Sequence, residues 1–82
     1  MSFSIYVKKS MLNSLKELDK SRKEQVIQLI NILKREPIPA RHYEVKKLSG
    51  YDNKYRLRSS GLKVVYEVCW NRKLIIIHFI GT

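Results

Sequence analysis

The sequence predicts an α+β fold: an N-terminal strand, a helical hairpin and then an antiparallel three-strand meander (β-α-α-β-β-β), with both helices packed on one side of the sheet. Three observations carry this. Apolar residues alternate with period two at the start of the chain and again from Lys54 onward, the pattern of strands with one buried face. Between Leu12 and Leu33 they recur every three or four residues, as on amphipathic helices. Pro37, Pro39, Gly50 and Ser60-Gly61 punctuate the boundaries. At 82 residues, taken as one domain spanning 1–82, the chain is close to the size at which a single core is marginal, so a binding partner is expected.

Each element follows from local chemistry. In residues 3–8, Phe3, Ile5 and Val7 alternate with Ser4, Tyr6 and Lys8, giving the first strand. From Ser10, the spacing of Leu12, Leu15 and Leu18 predicts a short helix ending near Asp19. Ser21 and Glu24 form a capping-box pair, which predicts that a second helix starts at Ser21. Val26, Ile27, Leu29, Ile30, Ile32 and Leu33 give this helix a wide apolar stripe, and Pro37 stops it. A basic loop follows, holding Arg41, His42, Lys46 and Lys47, with a possible short strand at 43–47.

The sharpest strand signal comes next. Tyr55 and Leu57 alternate with Lys54, Arg56 and Arg58; after Ser60-Gly61, Leu62, Val64, Tyr66 and Val68 alternate with Lys63, Val65, Glu67 and Cys69. A two-residue loop at Ser60-Gly61 pairs Ser59 with Leu62, Arg58 with Lys63 and Arg56 with Val65. This register puts every large apolar side chain of the two strands except Val65 on one face and collects the four cations on the other; a three-residue loop would mix the sets. The closing strand, residues 73–80 after a turn at Asn71-Arg72, is apolar on both faces and so belongs inside the sheet.

Charge narrows the function. Seventeen Lys and Arg against seven Asp and Glu give a net charge of +10, a field that attracts nucleic acid or an acidic protein. The lone Cys69 excludes an internal disulfide and favours a reducing cytoplasm, and no Cys/His spacing suggests a metal or other cofactor. The apolar run at 74–77 is too short to span a bilayer, so no membrane is expected and the chain should be soluble. No glycine-rich phosphate loop or nucleophile–histidine–acid set is present.

What remains is the face of Lys54, Arg56, Arg58 and Lys63, extended by Lys46, Lys47 and Arg41. Such an array can grip an RNA backbone, or it can also stabilise the extra negative charge formed when a ribose 2′-OH attacks the neighbouring phosphodiester. Clustered cations depress lysine pKa values, which makes Lys54 or Lys63 a candidate for proton exchange. His78 has no evident acid partner in the sequence, and His42 lies in the basic loop. Tyr55 and Trp70 fall on the buried phase of their strands, while Tyr51 is free to meet RNA.

The run KKLSGYDNKYRLRSSGLKVVYEV, residues 46–68, resembles the RelE group of the RelE/ParE toxin superfamily, with its Lys-Leu-x-Gly element, Tyr-x-Leu-Arg strand, Ser/Gly turn and Val-x-Tyr-x-Val strand. The order of the other elements resembles that family across the whole chain. The resemblance implies a ribosome-dependent mRNA endoribonuclease that enters the A site, against mRNA and ribosomal RNA, and cuts by 2′-OH attack. It also implies a RelB-like antitoxin, often acidic, that masks the basic face. Lys54, Arg56, Arg58 and Lys63 match family positions that bind RNA or assist catalysis, and Arg56 replaces a lysine, which moves the proton-accepting role towards Lys54. Relatives continue with a Gly-x-Arg segment and a tail carrying arginine and tyrosine; this sequence stops at Gly81-Thr82, before those positions, which implies either that the tail has been removed or lost or that this member cuts poorly. Two alternatives stay open: a ParE-like toxin that binds gyrase, and a non-catalytic module that binds RNA or antitoxin.

Overall fold

The α+β order read from the pattern is the order of the folded chain. A computed structural model describes residues 2–82. It runs β1 (Ser4–Val7), one 3-10 turn (Lys9–Met11), α1 (Leu12–Lys16), α2 (Lys20–Arg35), β2 (Glu44–Lys47), β3 (Lys54–Ser59), β4 (Leu62–Cys69) and β5 (Leu74–Gly81). The short strand near 43–47 exists and lengthens the meander by one member. All five strands make one sheet in the order β1-β5-β4-β3-β2. Neighbours from β2 to β5 are antiparallel, whereas β1 lies parallel to β5, with Ser4 opposite Leu74 and Val7 opposite Ile77. The apolar β5 therefore has a strand on each side, as its two hydrophobic faces require.

One face of the sheet and α2 form the core. Val26, Leu29 and Leu33 of α2 close over Leu57, Leu62, Val64, Tyr66, Val68, Ile75, Ile77 and Ile80, with Phe3 and Tyr55 at the margins. Met11, Leu15 and Leu18 add partly buried contacts from the first helical segment, so both helices cover the same side. Tyr66 stacks on Tyr55 at 5.7 Å between centroids, and its hydroxyl donates to the carbonyl of Pro37 at 2.8 Å. That bond ties the end of α2 to the middle of β4. Burial pushes the Tyr66 phenol well above its ordinary range, and the neighbouring Tyr55 adds to the effect.

Three expectations need correction. The first helix ends at Lys16 rather than near Asp19. A strict three-residue leucine spacing suits the tighter 3-10 winding better than the 3.6-residue α turn, and Leu18 N–H indeed bonds back to Leu15, three residues away. The cap of α2 is Asp19, not Ser21: the Asp19 carboxylate accepts the Arg22 N–H at 2.8 Å. Aspartate caps as well as serine, and starting two residues earlier adds helix without losing a donor. The stripe of α2 is also narrower than its sequence suggests, since Ile27 is 59% exposed.

Candidate nucleic-acid interface

The β3–β4 turn decides what the outer face of the sheet presents. Ser60 and Gly61 both have positive φ, 48° and 82°, the geometry of a two-residue turn whose twist matches its strands. The resulting register is the one the alternation predicts: Ser59 opposite Leu62, Arg58 opposite Lys63, Arg56 opposite Val65. Arg22 clamps the turn from α2, donating to the Ser60 carbonyl at 2.7 Å. The positive φ favours glycine at 61, and a Cβ there would also sit 3.2 Å from that guanidinium, which would have to shift slightly.

With the register set, the outer face forms three cross-strand rows. Glu44, Arg58, Lys63 and Gly81 make the first; Lys46, Arg56, Val65 and Phe79 the second; Lys54, Glu67 and Ile76 the third. The four cations of β3 and β4 thus share one surface with Lys46. Lys47 pairs with Tyr55, on the opposite phase at the sheet edge. Arg41 is held by Glu36 at 2.8 Å in the connector. That bond, with His42 and Arg35 nearby, holds the Glu36 carboxyl below its usual range. Arg58, Gly61, Leu62, Lys63 and Thr82 line a hollow of about 300 Å³ beside the turn. Lys63 Nζ lies 5.2 Å from the centre of the Phe79 ring, and Lys54 Nζ lies 4.4 Å from that of Tyr51.

A pair that sequence reasoning missed lies on the same face. His78 Nε2 is 2.9 Å from Glu67 Oε1, with both side chains partly accessible at 20% and 23%. The cause is a bulge: Val65 faces Phe79 and Tyr66 faces Ile77, leaving His78 as the extra residue, turned outward next to β4. Glu67 also accepts from Asn53 Nδ2 at 3.2 Å. The His78 hydrogen bond holds the Glu67 carboxyl below the usual carboxylate range against the opposing effect of burial, and Asn53 and Lys54 assist. The expectation that His78 lacks an acid partner is therefore overturned. The one signal available was a histidine in an otherwise apolar strand.

The aromatic side chains divide differently from expectation. Tyr55 is buried as predicted, but Trp70 is 47% exposed, because it lies in the turn between β4 and β5 and meets Phe3 edge-on at 5.7 Å. Tyr51 is exposed beside Lys54. No helix among the described residues is long and apolar enough to cross a membrane.

Comparison with known proteins gives the face its context. No protein-family model matches the chain. Over 81 residues the chain is 38% identical to a Methanocaldococcus jannaschii protein named as the toxin RelE1, covering 99% of this chain and 90% of that one. Among solved structures it matches a chain of the archaeal RelE–RelB complex from Pyrococcus horikoshii OT3 with a TM-score of 0.89 and 29% identity, over 99% of this chain and 94% of that one. A chain of the intact E. coli RelBE toxin–antitoxin complex shares the fold, with a TM-score of 0.79 at 22% identity, over 99% and 96% of the two chains.

Proposed function

The chain belongs to the RelE toxin family, and from that membership we propose that it is the toxin of a toxin–antitoxin pair, acting as a ribosome-dependent mRNA endoribonuclease. The observation that carries this reading is the shared outer face of Lys54, Arg56, Arg58 and Lys63. Across the β3–β4 pair, directly opposed side chains are about 5 Å apart at Cβ, close enough for the long side chains of Arg58 and Lys63 to converge on one phosphate. Arg58 and Lys63 at the hollow stabilise the doubly charged phosphorane, while Arg56 and Lys54 hold the flanking backbone. Lys46 extends the track; Lys47 and Arg41, being off the face, add only to the long-range field.

RNA supplies its own nucleophile, so the protein's tasks are to align the 2′-oxygen with the scissile bond and to neutralise charge. The reaction leaves a 2′,3′-cyclic phosphate and a 5′-hydroxyl. The solved relatives include complexes with RelB, and a net charge of +10 suits an acidic, RelB-like antitoxin as the partner of this chain.

Primer extension on cellular mRNA after induction tests the reading. Cuts should fall inside translated regions, and Arg58→Ala or Lys63→Ala should reduce them by at least tenfold while the protein stays folded. Growth arrest with intact mRNA and inhibited DNA supercoiling would instead identify a gyrase-binding toxin.

A further inference from the structure

The register singles out Val65 as the centre of the outer face. Arg56 lies directly across from it on β3 and Phe79 on β5, while Lys63 and Glu67 flank it two residues away along β4. Opposed residues stand about 5 Å away and the flanking pair about 7 Å. This patch has an apolar centre at Val65 and Phe79, with Arg56 and Lys63 on one side and the Glu67–His78 pair on the other.

We propose that the Glu67–His78 pair is the proton-transfer site of this patch, with His78 taking the 2′-hydroxyl proton of a ribose seated over Val65 and Glu67 orienting the ring. The inference deepens the endoribonuclease reading and rests on it. An ionised carboxylate can only accept, so the nitrogen facing Glu67 carries hydrogen, and the tautomer is set: Nε2–H donates to Oε1. The lone pair is then on Nδ1, for which no protein partner is found among the described residues. As the bond from O2′ to phosphorus forms, the 2′-hydroxyl proton passes to Nδ1. The bond from phosphorus to O5′ breaks, and O5′ takes a proton from water. The imidazolium left behind is stabilised by Glu67 until it returns its proton to solvent.

Lysine is less suited to the same step here. Lys54 lies over the Tyr51 ring, a contact that engages an ammonium as a cation, and stands opposite Glu67 in the register. The charged or titratable groups around the pair are Glu67, Lys63 and Cys69 from β4, the last with Sγ 3.9 Å from Glu67 Oε2, Lys54 and Arg56 from β3, and Tyr6 and Lys8 from the β1 side, where Lys8 N–H bonds the Ile77 carbonyl. Glu67 is the member in direct contact with the ring.

The test is the single-turnover rate of mRNA cleavage on programmed ribosomes as a function of pH. For the unaltered chain the rate should climb with pH along a single-proton limb. His78→Asn should lower the rate by roughly 10²- to 10⁴-fold and abolish the limb, with ribosome binding and thermal melting unchanged. His78→Ala should regain activity on addition of free imidazole, which a purely structural role would not allow. Glu67→Gln should lower the plateau, because the ring has lost the carboxylate that orients it. Wild-type rate and limb in a folded His78→Asn protein would overturn the proposal and leave the endoribonuclease reading standing. Absence of cleavage by the unaltered chain would overturn both, and the two failures are told apart by which protein is silent.

Discussion

Asp19 and Ser21 offer competing caps for α2, and substitution separates them. Asp19→Ala should cost about 1 kcal/mol in urea unfolding, since it frees the Arg22 N–H. Ser21→Ala, inside the first turn, should stay within about 0.5 kcal/mol of the parent. The sequence offered both residues within three positions, and pattern alone could not weigh them; the capping-box spacing favoured the wrong one. A second residue-scale prediction concerns Glu67. Its carboxyl pKa is depressed in the folded chain, so its stabilising effect is present above the unfolded carboxylate pKa and is lost as pH falls through the folded one. The difference in melting temperature between the parent and Glu67→Gln should therefore be largest near neutrality and shrink on acidification below the usual carboxylate range. A difference that grows in acid would contradict this assignment.

At the scale of elements, the β3–β4 hairpin is the part most dependent on one residue. Gly61→Ala must place a side chain at φ 82° and 3.2 Å from Arg22, and should cost about 1–2 kcal/mol in denaturant midpoint analysis. The hairpin was legible from sequence because its two constraints agree: a turn dipeptide and a strict alternation allow one register. The neighbouring β4–β5 pair was not legible to the same degree. Ile75, Ile76, Ile77, Phe79 and Ile80 are apolar on both phases, so nothing in the pattern marks where the bulge reverses the alternation. That reversal brings His78 against Glu67. The four cations could be found in sequence because they lie on regular strands; the acid–base pair could not, because it depends on an irregularity. The helical hairpin shows a related limit, since Ile27 fits the stripe by spacing but stays outside the contacts that bury Val26, Leu29 and Leu33.

For the whole molecule, charge and stability point to separate measurements. An 82-residue chain is expected to have roughly 4–12 kcal/mol of stability. Leu33 is fully buried, so Leu33→Ala should remove about 2–5 kcal/mol, a large share of the total, in urea unfolding. The net charge of +10 should show in binding: if the four cations of β3 and β4 each neutralise one phosphate, affinity for single-stranded RNA should fall with salt at a log–log slope of about −3. Replacing Arg56 or Arg58 by alanine should flatten that slope by about 0.7, whereas replacing Arg41 should leave it unchanged.

The parallel pairing of β1 with β5 has a kinetic meaning. Ser4 finds its partner at Leu74, almost the full length of the chain away, so the sheet cannot close until its final strand is available. Closing so long a loop comes late in folding and slows it relative to a chain built from local contacts. During synthesis, β2 to β4 can pair as they emerge, but Val65 has no neighbour on its β5 side and Glu67 no histidine until that last segment arrives. A nascent or prematurely terminated chain would thus display positive charge without the assembled patch. On this ordering, the outer face with its Glu67–His78 pair is assembled only after translation of the strand that finishes it.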